Sequence, residues 1–465
     1  MSSKEPLVHQ LARFVVGASF NDLSDAAASA LKIRVLDALG CAIGALEGEP
    51  IRMLRVQLED FGGNEHCTLI GGGKTAPDLA ALYNSALVRY LDFNDSYLAK
   101  GETCHPNDNV GAMLAAAEYA KASGQAFLLA LAVAYQVQCR LSDVAPVRSK
   151  GFDHTTQGSY AVAAGVSKAL SLDTEKTANA IAISGTALNA LRVTRTGDLS
   201  HWKGLAYPFT AFGGTHATFL AMRGITGPPE VFEGNKGFMD AIAGKFEIDW
   251  SKEDLERVTR TILKKYNAEV HSQSSIEGIL ELKKEYAFTA DQIDRIEVEV
   301  FDVAYNIIGG GQEGDKTNIK TKEEADHSIP YIVAVAILDD QVMPQQYYPD
   351  RILRDDVQQL LRKITVRPRD DYSRRFPNEM PSHLIVHLKS GQVVEKEKHD
   401  YEGFFTRPMS WDRAGEKFNH LSSRYVNETL RNEIVDSVAQ MEDLNVTDLT
   451  SLLHRIPDPK RGEKT

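Results

Sequence analysis

The chain has 465 residues, more than one hydrophobic core usually organises, so two or three domains are expected. Its composition, 43% hydrophobic and 25% charged, is that of a globular protein with a large core. The formal net charge of -12 argues against nucleic acid as a partner, because a phosphate backbone calls for a basic surface. An anionic small molecule is compatible with this charge, since local charges dominate a cleft.

The four cysteines are widely separated and form neither a CxxC pair nor a Cys/His cluster at zinc spacing. We interpret them as buried or incidental thiols, and the absence of short ligand runs disfavours an iron–sulfur cluster. The first residues are polar and lack a signal-peptide core, and no apolar stretch reaches the roughly 18 residues of a membrane span. We therefore expect a cytoplasmic protein that has no membrane partner.

Helical patterns fill the first half of the chain. Apolar residues recur at helical spacing or in alanine-rich runs, which predicts helices over 5–47 (as two helices), 78–91, 109–141, 158–190 and 203–224. Asn21 or Ser24 is the candidate cap of the second helix, and Ser123-Gly124 breaks the pattern within 109–141. The glycine-rich run before residue 78 lacks the first glycine of a phosphate-binding loop and predicts a turn.

The pattern changes near residue 250. Residues 293–302 alternate between apolar and polar, which predicts a half-buried strand. Alternation returns over 364–371 and 383–400, the second with a Ser-Gly turn that predicts a hairpin. Helical patterns cover 328–339 and resume from Ser410.

These elements predict a mainly α fold. A large all-helical domain is expected from both chain ends, over 1–262 and 406–465, and a smaller α+β domain is inserted over 263–405. Clefts between domains are preferred ligand sites.

Polar patches interrupt the apolar helices of the first part. Asp92, Asp95 and His105 lie where a buried helix runs into a loop, and a carboxylate beside an imidazole can act as an acid/base pair. A capping aspartate and a loop histidine would explain the same residues. His154 precedes two threonines that could cap a helix, and Lys203 begins another helix, where an ammonium can bind a carboxylate or reach water.

Two further patches lie in the second part. Lys264, Lys265, His271 and Gln273 supply cations and donors near a helix start, and Tyr331 follows an Asp-His pair before a buried helix. The patches include neither a Ser-His-Asp elbow nor a dinucleotide fingerprint. They suit proton abstraction beside a carboxylate, in which cations hold the acid groups and a base takes the proton.

Six motifs stand in order along the chain: LDFNDSY with CHPND, DHTT, HWKG, GITGP with FEG, AEVHSQSSIE and DHSIPYIVA. Together they resemble the 2-methylcitrate dehydratase family, in the MmgE/PrpD superfamily. The resemblance implies a homodimer and a site between the two domains that uses no metal or organic cofactor. It implies catalytic roles for Asp92, His105, His154 and Tyr331, and substrate binding by Ser96, Lys203, Lys264, His271 and Gln273.

The chain departs from the family pattern in places. Ser96 stands where relatives often carry threonine, and Leu205 with Tyr207-Pro208-Phe209 stands where they usually carry small residues, which could reshape a substrate pocket. The resemblance leaves the base open between His154 and His105, with Asp92 assisting and Tyr331 as a candidate proton donor.

The leading hypothesis is a hydro-lyase that dehydrates 2-methylcitrate to 2-methyl-cis-aconitate in the methylcitrate cycle of propionate breakdown. The same residue types would serve a cis-aconitate decarboxylase or an iminodisuccinate epimerase. A non-catalytic helical binding protein is a further alternative, but it would be expected to lose Asp92, His105, His154 or Lys203, and all four are present.

Overall fold

The computed structural model describes residues 5–197 and 199–459, and its secondary structure is mainly helical. The chain forms two compact units, the first made of Met1–Arg195, His201–Thr261 and Ser410–Thr465, and the second made of Thr196–Ser200 and Ile262–Met409. The predicted fold class, mainly α with a large helical part drawn from both chain ends, is confirmed. Among the described residues, no helix is both long enough and apolar enough to cross a bilayer.

The longer helices are, in chain order, α1 (Leu7–Gly17), α2 (Asp25–Gly44), α3 (Glu49–Phe61), α4 (Pro77–Tyr90), α5 (Val110–Tyr119), α6 (Gly124–Val144), α7 (Thr155–Ala169), α8 (Thr174–Ala187), α9 (Trp202–Met222), α10 (Gln273–Tyr286), α11 (Ile329–Asp339), α12 (Trp411–Ser422), α13 (Glu428–Ala439) and α14 (Val446–His454). Shorter α-helical segments cover Asp302–Ala304, Lys322–Ala325, Pro349–Ile352, Asp355–Leu361 and Asp370–Arg375. Short 3-10 helices include Pro106–Asn109, Arg192–Arg195 and Val270–Ser272.

The helix pair α5 and α6 forms the buried centre of the first unit, as its apolar composition predicts. Almost every residue of α5 is buried, and Ser123 caps α6 by accepting a hydrogen bond from the backbone of Ala126. Gly111 lets α5 approach α4 closely, because a Cβ there would lie 2.4 Å from the backbone nitrogen of Ser85. Close helix packing through small residues therefore gives this region its density.

The two chain ends meet within the first unit. Helix α12 packs against α2, and Lys417 of α12 reaches the carboxylate of Asp37 in α2 at 2.6 Å. The same ammonium donates to the main-chain oxygen of Phe93 at 2.7 Å and lies over its ring. A buried ion pair of this kind is stable only when hydrogen bonds satisfy it, as the Phe93 oxygen does here.

The first unit also contains strands, which the all-helical expectation missed. β1 (Cys67–Thr68) pairs with β2 (Lys74–Thr75), and β3 (Tyr97–Ala99) pairs with β4 (Glu102–Cys104), both antiparallel. Strands of two or three residues are too short to show a period-2 pattern, so the sequence carried no signal for them. The β3–β4 ribbon brings the residues before β3 close to the residue after β4.

The second unit is built on a sheet with strand order β6-β5-β7-β8. β5 (Ile293–Val300) pairs parallel with β6 (Ile364–Pro368) and antiparallel with β7 (Ser382–Leu388), which pairs antiparallel with β8 (Val393–Lys398). The predicted strand and hairpin are confirmed, and β5 keeps Ile293, Ile296, Val298 and Val300 on its buried face. The strand predicted to run to residue 371 ends at Pro368, and a short helix follows.

Candidate active site

Asp92 lies just past the C-terminal end of α4, between two cations. Arg89 donates to one of its carboxylate oxygens at 2.7 Å, and the ammonium of Lys203, at the start of α9, lies 3.5 Å from the other. All three side chains are buried. The φ of Asp92 is 52°, a left-handed conformation that is unusual for a residue with a side chain and often marks a functional position.

His105 is held directly after β4 by the segment that precedes β3. Its Nδ1 lies 2.8 Å from the main-chain oxygen of Asp95 and 3.1 Å from the hydroxyl of Ser96. A carbonyl oxygen can only accept a hydrogen bond, so this contact places the proton of the neutral imidazole on Nδ1. Nε2 then carries the lone pair, which is the form of histidine that accepts a proton.

The side chain of Asp95 braces the same segment. One carboxylate oxygen accepts from the backbone N–H of Asn107 at 2.9 Å, and the other accepts from the hydroxyl of Tyr135 at 2.7 Å. Burial raises the pKa of Asp95 to about 7, against the lowering effect of these two hydrogen bonds. Asp95 therefore orients His105 through its main chain and the neighbouring loop through its side chain.

His154, immediately before α7, has the opposite arrangement. The guanidinium of Arg195 lies 3.2 Å from its Nε2 and can only donate, so Nε2 accepts and Nδ1 carries the proton. Among the described residues, Nδ1 has no hydrogen-bond partner. Burial, reinforced by Arg195 and Arg89 and opposed by Asp153, lowers the pKa of His154 to about 3. With this low pKa the ring is neutral near pH 7, and Nδ1 is its donor nitrogen.

The two imidazoles lie side by side. The ring centres of His105 and His154 are 5.4 Å apart, with the rings nearly perpendicular. The ring of Tyr207 stacks on His154, with the ring centres 6.1 Å apart. The single hydroxyl proton of Tyr207 faces two acceptors, Asn109 Oδ1 at 2.9 Å and Gln138 Oε1 at 3.0 Å. Tyr207 is fully buried, so it forms part of the wall beside His154.

Ionised groups around these imidazoles are mainly cationic. Arg89, Arg195 and Lys203 are buried or nearly so, beside the carboxylates of Asp92 and Asp153. Burial would raise the pKa of Asp153, but the charge of Arg195 outweighs it and holds this pKa well below its usual range. A third carboxyl group, that of Asp108, lies nearby. Burial raises the pKa of Asp108 to about 7, so this group is partly neutral near pH 7. This balance favours an anionic ligand.

The second unit has a histidine–carboxylate pair of its own. His271 Nδ1 lies 2.7 Å from Glu269, which also accepts from the His271 backbone N–H at 2.8 Å. Burial would raise the pKa of Glu269, but the charge and hydrogen bond of His271 prevail and lower it to about 2. The ring packs against both Phe301 and Phe376, whose own rings stack 4.3 Å apart. Its Nε2 has no hydrogen-bond partner in the described part of the chain.

Other predicted residues of the second unit have different surroundings. Lys264 is fully buried, and its charge also lowers the pKa of Glu269. Gln273 accepts from the backbone N–H groups of Lys265 and Tyr266, both at 3.0 Å, and donates to the oxygen of Tyr266. The amide of Gln273 therefore holds the preceding loop in place.

The hydrogen bond of Tyr331, a residue of α11, goes to neither His271 nor Glu269. Its hydroxyl donates to the main-chain oxygen of Gln346, and its ring packs near Tyr347. Burial raises the pKa of this hydroxyl. Through these contacts Tyr331 holds the segment that follows α11 against the helix.

In the first unit the structure thus brings together five predicted residues: Asp92, Ser96, His105, His154 and Lys203. Sequence reasoning did not identify Arg89, Arg195 or Glu269 as part of either group. Glu269 carried a local signal, because a carboxylate two residues before a histidine can bond to that histidine's backbone N–H. Arg195 carried none, because its partner His154 is 41 positions away in the chain.

Comparison with known proteins assigns the chain to a family. Residues 9–251 match the model of the MmgE/PrpD N-terminal domain, and residues 266–443 match that of the MmgE/PrpD C-terminal domain. The chain is 24% identical to cis-aconitate decarboxylase of Mus musculus, over 96% of this chain and 93% of that protein. It is 27% identical to 2-methylcitrate dehydratase of Escherichia coli (strain K12), over 69% of each chain.

A mitochondrial 2-methylcitrate dehydratase of Yarrowia lipolytica is 26% identical, over 81% of this chain and 76% of that protein. Identity to the dehydratases and to the decarboxylases is similarly low, so it does not separate the two activities. The models of the two MmgE/PrpD domains, in contrast, together cover most of the chain, and the N-terminal domain matches before the C-terminal one. The chain therefore belongs to the MmgE/PrpD family.

Proposed function

We propose that this protein is a lyase that dehydrates 2-methylcitrate to 2-methyl-cis-aconitate. One observation carries the proposal: the adjacent rings of His105 and His154 present complementary atoms. His105 offers an unprotonated Nε2, and His154 offers a protonated Nδ1, with the ring centres 5.4 Å apart. An acceptor and a donor beside each other are what a reaction needs when it removes a proton next to a carboxylate.

In the proposed reaction His105 acts as the base. Its Nε2 removes a proton from the carbon beside a substrate carboxylate, and negative charge moves onto the carboxylate oxygens. His154 donates a hydrogen bond from Nδ1 to these oxygens, as a neutral donor that needs no change of charge. The bond to the hydroxyl group then breaks, and His105 returns its proton to the departing oxygen. One water leaves and one carbon–carbon double bond forms.

Lys203 is proposed to bind a substrate carboxylate. It lies beside Asp92 at the N-terminal end of α9, where the helix dipole also favours negative charge. Arg89 keeps a contact with Asp92 at 2.7 Å, so Asp92 stays paired when the ammonium of Lys203 turns towards a ligand. The substrate-binding roles of Lys264, His271 and Gln273 remain predictions. The proposed reaction does not use Tyr331 as a proton donor, because its hydroxyl already donates to the main-chain oxygen of Gln346.

Decarboxylation of cis-aconitate is the second candidate. The cis-aconitate decarboxylase of Mus musculus aligns over more of this chain than the dehydratases do, 96% against 69–81%. A cationic pocket with a histidine pair would serve that reaction as well, since decarboxylation also develops charge beside a carboxylate.

A spectrophotometric assay separates the two. Purified protein is given 2-methylcitrate, citrate or cis-aconitate, each with and without chelator, while ultraviolet absorbance and carbon dioxide release are followed. Rising absorbance with 2-methylcitrate supports the dehydratase. Falling absorbance of cis-aconitate with carbon dioxide release moves the protein to the decarboxylase activity. In either case His154→Ala should lower kcat while the far-ultraviolet circular dichroism stays that of the wild type.

We also infer a homodimer, as the family resemblance implies. Helix α9 offers a surface for it, with Trp202 46% exposed and Phe209 47% exposed, and their rings 5.6 Å apart. Exposed aromatic groups of this kind often mark interfaces. Light scattering after size-exclusion chromatography would give the mass, and the double variant Trp202→Ser/Phe209→Ser should shift a dimer towards monomer. A cytoplasmic location also remains a prediction.

A further inference from the structure

Arg195 connects three residues of the candidate active site through one guanidinium group. Its Nε donates to one oxygen of Asp153 at 2.9 Å, and Nη2 lies 3.3 Å from the other. Nη2 also lies 3.2 Å from Nε2 of His154, and Nη1 donates to the main-chain oxygen of Lys203 at 3.0 Å. The Arg195 side chain is 9% exposed, so these contacts form away from solvent.

These contacts join parts of the chain that local structure does not join. Asp153 and His154 immediately precede α7, Lys203 belongs to the first turn of α9, and Arg195 lies in the 3-10 helix Arg192–Arg195. A planar guanidinium with five donors in a fixed fork can hold all three partners at once. A lysine ammonium could not match this arrangement, because its donors share one point.

The contact with His154 has a chemical consequence. A guanidinium has only donors, so it claims the lone pair on Nε2 and leaves the imidazole proton on Nδ1. Without Arg195, Nε2 could carry the proton and bond to the carboxylate of Asp153, which lies 3.7 Å away. Nδ1 would then lose the hydrogen that the proposed mechanism uses.

We propose that Arg195 is the positioning residue of this active site: it sets the tautomer of His154 and the location of Lys203. This inference rests on the proposed function for its catalytic meaning, but its structural content stands on the contacts alone. Arg195 touches no reacting atom in the scheme. It acts through two residues that do.

The alternative is that Arg195 only supplies positive charge. Arg192 provides the comparison, because it lies in the same 3-10 helix and its guanidinium is 3.6 Å from Asp153. If charge near Asp153 were all that mattered, Arg192→Ala and Arg195→Ala would have similar effects. Our inference predicts that they differ.

The first test reads the tautomer directly and needs no substrate. Nuclear magnetic resonance of protein labelled with ¹⁵N-histidine gives separate nitrogen signals for protonated and unprotonated ring positions. The signals of His154 are those that disappear in His154→Gln. We expect the wild type and Arg192→Ala to show a neutral His154 with the proton on Nδ1. In Arg195→Ala and Arg195→Lys the proton should move wholly or partly to Nε2. An unchanged Nδ1 proton in both Arg195 variants would overturn the inference.

The second test is kinetic and includes chemical rescue. Arg195→Ala should lower kcat on the order of 100-fold, as expected when catalytic groups lose their alignment, and should raise KM as Lys203 shifts. Arg195→Lys should recover little. Added guanidinium ion, at concentrations far below those that unfold proteins, should restore part of the Arg195→Ala rate, whereas equal sodium chloride should not. Full activity of Arg195→Lys, or no rescue beyond that of sodium chloride, would count against positioning.

The two tests separate the possible failures. A wild-type protein inactive on every tricarboxylate would refute the proposed function, while the nuclear magnetic resonance result would still decide the role of Arg195. Because Asp153 is a buried carboxylate, Arg195→Ala could reduce stability. The double variant Asp153→Asn/Arg195→Ala removes that unpaired charge, and it should still show the altered His154 tautomer.

Discussion

The Nδ1 of His105 lies 2.8 Å from the main-chain oxygen of Asp95, and this contact decides which nitrogen of His105 can accept a proton. The oxygen belongs to the backbone, so substitution of the Asp95 side chain leaves it in place. The carboxylate of Asp95 instead holds the neighbouring loop through Asn107. One residue thus provides two separate constraints on the candidate base, and the two can be tested apart.

Replacement of His105 tests its role as the base. We expect His105→Gln to lower kcat by about 10²- to 10⁴-fold, because that is what a positioned proton acceptor usually contributes. KM should change little, since binding is assigned to other groups. His420→Gln, at an exposed histidine of α12, is the matched control and should keep wild-type kinetics. A kcat for His105→Gln within a few-fold of wild type would remove His105 from the chemistry.

The raised pKa of Asp95 predicts a pH dependence of stability. Burial raises this pKa from 3.8 to about 7, so between these values the folded state binds a proton that the unfolded state does not. The contribution of Asp95 to the free energy of unfolding is therefore present at low pH and is lost as pH rises from about 4 to 7.

Asp95→Asn removes that proton exchange and keeps a side chain able to accept from Asn107. In urea unfolding at pH 5 and pH 8, its stability relative to wild type should improve by about 1 to 3 kcal/mol at the higher pH. A difference that is equal at both pH values would argue against the raised pKa.

Lys203→Ala tests carboxylate binding. A hydrogen bond to a charged group contributes roughly 1.5–3 kcal/mol, so KM should rise about tenfold or more if the ammonium binds substrate. Lys176→Ala serves as control, because Lys176 is a partly exposed lysine of α8 that pairs with Asp173, the residue that caps this helix. The salt dependence of KM should weaken in Lys203→Ala but not in the control. Equal KM values for the two variants would reject this role.

The ion pair between Asp37 and Lys417 predicts a stability effect far from the chemistry. Lys417→Met leaves the Asp37 carboxyl buried without its cation, which typically costs about 3–5 kcal/mol of unfolding free energy. The double variant Asp37→Leu/Lys417→Met removes both polar groups and should recover much of that loss. Guanidinium chloride unfolding measures both. If the double variant lost as much unfolding free energy as Lys417→Met and Asp37→Leu lose together, this reasoning would be contradicted.

Local pattern in the sequence was sufficient for most elements of the fold. Apolar spacing predicted α5 and α6 with their break at Ser123-Gly124, and period-2 alternation predicted β5 and the β7–β8 hairpin. It was insufficient for the β1–β2 and β3–β4 ribbons, whose strands have two or three residues. A periodic signal needs several repeats, and such short strands offer at most one.

By itself, the sequence determined the helical character of the chain, its α+β insertion, and the motifs that carry imidazoles, carboxylates and cations. Only the tertiary structure decided which partners these groups have. It assigned the proton of His105 to Nδ1 through Asp95, assigned that of His154 to Nδ1 through Arg195, and engaged Gln273 and Tyr331 with main-chain atoms. The physical reason is that a tautomer follows from the partner of each ring nitrogen, and folding selects that partner. The β3–β4 ribbon brings Asp95 to His105, and Arg195 reaches His154 from 41 positions along the chain.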